Sequence, residues 1–174
     1  MPNIKDHLRI FAMLLIFALS MCISANAQNK SGLEVLSDAA LTKVVPTSFY
    51  FAGQSAVTQI RNTAAAQLGK DRFVIVGLVD TSGYSTEISG KYEGFLITDS
   101  PILIGNKNLG TGAYGFGFSK SGTLNIFDLS SKQILSTASK SDADIKRPRP
   151  LQMILDNKGV RLYKGKDFVL ITPK

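Results

Sequence analysis

FVIVGLV, at residues 73–79, is a continuous apolar run of strand length. An antiparallel strand with one face in water would alternate apolar and polar side chains, so the unbroken run predicts a strand that is buried on both faces. The turn-forming sequence Asp80-Thr81-Ser82-Gly83 follows it directly. From this point onward the chain is typical of a domain made of strands and turns.

Short apolar segments separated by turn signals continue to the end of the chain. The predicted strands after residue 79 are 92–98, 102–104, 113–118, 123–127, 133–137, 151–155, 160–163 and 168–171. Glycine, asparagine, serine and proline mark the turns between them. The total is about eight or nine short strands, and their spacing predicts a mainly β fold, either a small antiparallel β-barrel or a β-sandwich.

One or two helices are expected before the strands. Residues 33–45 place apolar side chains three and four positions apart, and Pro46 ends the pattern. Residues 53–68 give a stronger helical pattern, with a run of three alanines and a glycine just past the end. The side chains that would share its apolar face are Val57, Ile60, Ala64 and Leu68.

Residues 1–27 have the order of features of a cleavable secretory signal. Lys5 and Arg9 come first, residues 10–23 form a short apolar run, and Ala25-Asn26-Ala27 supplies a small-x-small cleavage site. Cleavage near Ala27 leaves residues 28–174 as a single β-rich domain that is secreted or periplasmic. The alternative is lipoprotein anchoring at Cys22, but Met21 is large where a lipid-attachment box has a small residue.

The composition excludes several classes of chemistry. The chain carries 20 basic and 13 acidic residues, and residues 28–174 keep 18 − 12 = +6 of that charge. The one cysteine and the one histidine, Cys22 and His7, both lie in the predicted signal. The domain therefore has no disulfide, no thiolate or histidine zinc site, and no Ser-His-Asp or Cys-His catalytic set. Any catalysis would depend on carboxylates, lysine or tyrosine.

The sequence LGTGAYGF at residues 109–116 contains a G-x-G-x-x-G pattern. The parts that would make it a nucleotide site are missing, because strand signals follow it and no kinase lysine strand or H-R-D sequence accompanies it. The interpretation we favour is a strand in which Gly115 and Gly117 allow another element to pack closely on one face. No cofactor is therefore predicted.

Three arginines are candidate ligand-binding residues. Arg147 and Arg149 lie in KRPRP at residues 146–150, where alternating prolines hold the chain extended and two guanidinium groups could meet a phosphate or carboxylate. The alternative is a stiff, solvated connector. Arg61 belongs to a polar stretch at residues 54–62, which is either a recognition surface or a solvent-facing side.

These features favour an exported, non-catalytic binding or interaction domain whose partner is an anionic ligand, envelope polymer or protein. Nucleic acid is disfavoured, because the basic segment has no aromatic residues beside it.

One alternative function is a glycan hydrolase that uses two carboxylates. Its candidates are Asp80, Glu87, Glu93 and Asp99. The other is a β-barrel carrier of an apolar ligand, with Tyr114, Phe116 and Phe118 lining the cavity.

Overall fold

The computed structural model describes residues 32–174. The predicted signal peptide, its cleavage site and the alternative at Cys22 lie outside these residues. Within residues 32–174, no helix is both long enough and apolar enough to cross a membrane.

Residues 32–174 form fourteen strands and two short helices. Helix α1 (Asp38–Val44) follows the first strand, and the single-turn helix α2 (Thr86–Ser89) lies between the fourth strand and the fifth. The strands in chain order are β1 (Leu33–Val35), β2 (Ser48–Phe51), β3 (Gln54–Leu68), β4 (Phe73–Val79), β5 (Gly94–Thr98), β6 (Ile102–Ile104), β7 (Lys107–Leu109), β8 (Gly112–Phe118), β9 (Thr123–Phe127), β10 (Gln133–Ala138), β11 (Lys140–Ser141), β12 (Arg149–Asp156), β13 (Gly159–Gly165) and β14 (Asp167–Pro173).

The strands form two antiparallel sheets. The larger sheet has the order β1-β3-β4-β5-β8-β9-β10, with β2 also paired to β3. The smaller sheet has the order β12-β13-β14-β6-β7, with β11 paired to β14. The mainly β, antiparallel class predicted from the sequence is therefore confirmed, and the two sheets do not close into a barrel.

The predicted strands are recovered at their places in the chain. Strands β4, β6 and β9 have the predicted bounds, and the other six differ only at their ends. The predicted number was too low, because β1, β2, β7 and β11 have only two to four residues each and carry too little pattern to detect. The predicted helix at residues 33–45 is shorter than expected, since its first residues form β1 and only Asp38–Val44 is helical.

The predicted helix at residues 53–68 is wrong, because this segment is the long strand β3. Ala52 and Gly53 both have positive φ, 50° and 86°, and form a two-residue hairpin turn that pairs β2 with the start of β3. The second half of β3 pairs with β4. Val57 and Ile60, two residues of the supposed apolar face, are 67% and 44% exposed. Pairing on both sides has overridden the helix propensity of the alanines.

The main core lies between the two sheets. It takes side chains from the larger sheet and from the smaller sheet, and most of them are fully buried. Val74 and Val76 of β4 point into this core, whereas Val79 belongs to a second cluster on the opposite face of the larger sheet. Strand β4 is therefore covered on both faces, as its unbroken apolar sequence predicted.

The second cluster is aromatic. Phe49 stacks on Phe95 with ring centroids 4.9 Å apart, and Phe51 stacks on Tyr92 at 4.0 Å. A Cβ atom at Gly115 would clash with the ring of Phe51. The glycines of the G-x-G-x-x-G region thus include one that allows close packing, as the sequence predicted.

Candidate functional site

A bulge in β3 shapes one wall of the candidate site. Thr58 pairs with Val79 and Thr63 pairs with Gly77, so β3 advances five residues while β4 advances two. Such a bulge interrupts the ladder and re-aims the side chains within it. A side-chain hydrogen bond ties the bulge to β4, because the Gln59 side chain donates to the Val79 carbonyl at 3.0 Å. The Thr63 hydroxyl also donates to the carbonyl of Ile60, at 2.8 Å.

The facing wall is the beginning of β12, an edge strand of the smaller sheet. Its register slips by one residue between Arg149 and Gln152, since Arg149 pairs with Gly165 and Gln152 with Tyr163. Pro150 lies inside this slip, where the lack of an N–H donor is tolerated. Residue 151 onward runs along the inter-sheet core, with Leu151 and Met153 buried.

Helix α1 and the end of β1 complete the site. Together the four elements enclose a groove of about 510 Å³, which we call the arginine groove. Its lining residues are Val35, Leu36, Asp38, Leu41, Thr42, Ile60, Arg61, Thr63, Ala64, Arg149, Leu151, Gln152 and Met153.

Charge in the arginine groove is carried by Arg61, Arg149 and Asp38. Both arginines are exposed, and within residues 32–174 neither guanidinium group forms an ion pair with a carboxylate. An arginine presents a planar fork of donors that matches carboxylate and phosphate oxygens. The guanidinium groups of Arg61 and Arg149 therefore give this groove hydrogen-bond donors that are available to an anion.

The structure brings together two of the three arginines predicted to bind a ligand. Arg61 and Arg149 are 88 positions apart in sequence (149 − 61 = 88) and line the same groove. Arg147 is exposed in the connector before β12 and does not line the groove. The sequence pattern identified each arginine separately but gave no sign of their convergence, which depends on the β3 bulge and on how β12 packs against β3.

The three aromatic candidates lie elsewhere. Phe118 is partly buried against the inter-sheet core. Phe116 is fully buried in the inter-sheet core. Tyr114 is partly buried against that core, and its hydroxyl is within hydrogen-bond distance of the Gly110 carbonyl (3.1 Å) and the Thr111 carbonyl (3.3 Å). Burial raises the pKa of Tyr114. All three side chains have a packing role at these positions.

Each of the four candidate carboxylates has its own local partner. Glu93 pairs with Lys164, and Glu87 pairs with Lys91 at 3.5 Å on an exposed helical turn. Two further partners are backbone amides: Asp80 accepts from the Ser82 N–H at 3.0 Å and Asp99 from the Phe73 N–H at 2.8 Å. The Glu93 contact joins the two sheets and the other three hold turns or sheet ends, and none of the four joins two of the candidate carboxylates.

A second basic cavity, of about 440 Å³, lies beside Arg161 in the smaller sheet. Here the guanidinium group is already occupied, because its Nε donates to Asp156 at 2.9 Å and its plane lies over the Phe168 ring at 4.8 Å. The adjoining Tyr163 hydroxyl donates to Asp142 at 2.7 Å. Arg161 thus differs from Arg61 and Arg149, which line the arginine groove and, within residues 32–174, form no ion pair with a carboxylate.

Comparison with known proteins gave no match: no protein-family model, no curated protein and no solved structure is similar to this chain. Within the described residues, no group of three or more His, Cys, Asp and Glu side chains is placed to hold a metal ion. The proposal for function therefore rests on the arginine groove.

Proposed function

We propose that this protein is an exported, non-catalytic binding protein that holds the anionic group of its ligand between Arg61 and Arg149. Export is supported by the order of charge, apolar run and small-x-small site in residues 1–27. Release at Ala27 leaves the protein secreted or periplasmic.

The observation that carries the proposal is the convergence of two unpaired guanidinium groups on one groove. A surface arginine with no function is commonly solvated or paired, and it has no reason to share a concave site with a second arginine. Two cations in one concave lining favour the binding of an anion there. The groove volume of about 510 Å³ is also within the range of about 300–1,000 Å³ that is usual for small-molecule sites.

An NMR titration with inorganic phosphate tests this proposal. We expect saturable shifts at the backbone amides of residues 59–64 and 151–153, because these amides flank the two guanidinium groups. Arg149→Gln should weaken binding by about tenfold, as expected when one charged hydrogen-bonding group is lost.

Arg147→Gln is the matched control, because it removes the same charge two positions away and outside the groove. It should leave the phosphate affinity almost unchanged. Equal weakening by the two substitutions, or shifts scattered over the whole basic surface, would show that phosphate senses only net charge and that the groove is not a site.

A further inference from the structure

The arginine groove has two chemically different parts. Its charged and polar groups are Asp38, Thr42, Arg61, Thr63, Arg149 and Gln152. Seven of its thirteen lining residues are apolar, namely Val35, Leu36, Leu41, Ile60, Ala64, Leu151 and Met153, and the last three of these are buried. The four that are not buried, Val35, Leu36, Leu41 and Ile60, give the groove an apolar side next to its two cations.

Each arginine has an apolar neighbour in the same wall. On β3, Ile60 precedes Arg61 in the bulge, and Ile60 is 44% exposed although it is a large apolar residue. On β12, Arg149 is two positions from Leu151, which is buried at the groove floor. The β3 wall therefore presents a cation next to exposed apolar surface, and a ligand that covered Ile60 would remove that surface from water.

The charge pattern disfavours a long polyanion. Polyanions bind through many contacts spread along a basic surface, and affinity grows with the number of charges neutralised. The groove offers only two cations, and the carboxylate of Asp38 lies in the same lining. A ligand with one anionic head meets both guanidinium groups and can keep clear of Asp38.

We infer that the ligand of the arginine groove is a single-chain amphiphile, with a carboxylate or phosphate head held by Arg61 and Arg149 and an alkyl chain lying along the apolar floor. This inference rests on the proposed anion-binding function and specifies its ligand class. The ligand is a free amphiphile taken up one molecule at a time, because the groove is of small-molecule size.

The test compares acetate, hexanoate, octanoate and decanoate, all below their critical micelle concentrations, by calorimetric titration. We expect the affinity to rise roughly two- to fourfold per added methylene, since each buried methylene contributes a constant increment. Octanoate should bind at least about tenfold more tightly than 1-octanol, which has the same chain but no charge for the arginines to hold.

Two variants of exposed residues on β3 separate the chain from the head group. Ile60→Thr should reduce the gain from octanoate to decanoate, and its phosphate affinity, measured beside it, is the reference for any change at the head group. Val57→Thr is the control, because Val57 is 67% exposed on the same strand and does not line the groove. It should bind every probe as the unmodified protein does.

The outcomes distinguish this inference from the function on which it rests. If acetate and phosphate bind through Arg61 and Arg149 but chain length has no effect, the amphiphile is wrong and the anion site stands. If no anion binds at the groove, both are wrong. If vesicles of anionic phospholipid bind tightly and Ile60→Thr has no effect while monomeric decanoate does not bind, the partner is a membrane surface and the inference is overturned.

Discussion

Glu93 and Lys164 form a half-buried ion pair that joins the two sheets. Glu93 lies just before β5 of the larger sheet, and Lys164 lies in β13 of the smaller sheet. The second carboxylate oxygen of Glu93 accepts a hydrogen bond from the backbone N–H of Phe118 at 2.9 Å. The same carboxylate therefore satisfies a partner on each side of the interface between the sheets.

Glu93→Ala should lower the free energy of unfolding by about 1–2 kcal/mol, because it leaves the Phe118 amide without its charged acceptor and Lys164 without its partner. Glu87→Ala removes the exposed pair with Lys91 and should cost about 0.5 kcal/mol or less. Urea unfolding of both variants gives the comparison. Equal losses would mean that the Glu93 contact contributes no more than a surface pair.

Gly115→Ala should be destabilising by roughly 1–3 kcal/mol, because the new methyl group must displace the buried ring of Phe51. The substitution removes no contact, so its cost comes only from overpacking. Gly83→Ala is the control, since a Cβ atom at Gly83 meets nothing within 4 Å. Thermal unfolding should show a lower Tm for Gly115→Ala alone, and an unchanged Tm would contradict the packing assigned to this strand.

Tyr92 and Tyr84 provide a matched test of buried hydroxyl groups. The Tyr84 hydroxyl donates to the Gln54 carbonyl at 3.0 Å, whereas the Tyr92 hydroxyl lies near Tyr84 without the geometry of a hydrogen bond. Burial raises the pKa of Tyr92, and the neighbouring Tyr84 adds to the shift.

Tyr92→Phe should therefore be neutral or stabilising, while Tyr84→Phe should cost about 1 kcal/mol of stability. Chemical denaturation of the two variants measures the difference. A clear loss of stability in Tyr92→Phe would show that its hydroxyl has a partner after all.

Asp142 should make the free energy of unfolding depend on pH in the acid range. The hydrogen bond from the Tyr163 hydroxyl, followed by the Asp144 backbone amide and the charge of Arg161, holds the pKa of Asp142 below its usual value. A carboxyl whose folded-state pKa is lowered adds stability that is present above its unfolded pKa of about 3.9 and is lost as the pH falls through the folded pKa.

Tyr163→Phe should raise the pKa of Asp142 in the folded protein and make stability less dependent on pH below about pH 4. An NMR titration of the Asp142 side-chain carbonyl carbon measures the pKa directly. Tyr50→Phe serves as the control, because Tyr50 is exposed. A pKa for Asp142 that is the same in both variants would be inconsistent with the hydrogen bond from Tyr163.

The sequence was sufficient for most strands and insufficient for the site. Strands β4 and β9 could be predicted because an apolar run or alternation ends at a clear turn. Strand β3 could not, because its alanines and its apolar spacing also fit a helix, and only pairing with β2 and β4 decides between the two. The Ala52-Gly53 turn was the one local signal of a hairpin.

The arginine groove illustrates why sites are harder to predict than strands. Arg61 and Arg149 were both candidates, yet each stood in a segment whose simpler interpretation was a solvated surface. Their convergence depends on the three extra residues of the β3 bulge and on packing between two sheets. Ile60 was assigned to the buried face of a helix, and its actual exposure beside Arg61 follows from the same bulge.

Two double variants that remove the same charge test the assignment of the arginine groove. The first double variant, Arg61→Gln and Arg149→Gln, removes both cations from the arginine groove. The second, Lys146→Gln and Arg147→Gln, removes two cations from the adjoining connector. We expect phosphate and octanoate binding, measured by calorimetry at one salt concentration, to be lost in the first double variant. In the second it should be within about twofold of the unmodified protein, since exposed charges at a distance are largely screened. Equal affinity of the two double variants would contradict the assignment of the arginine groove as the binding site.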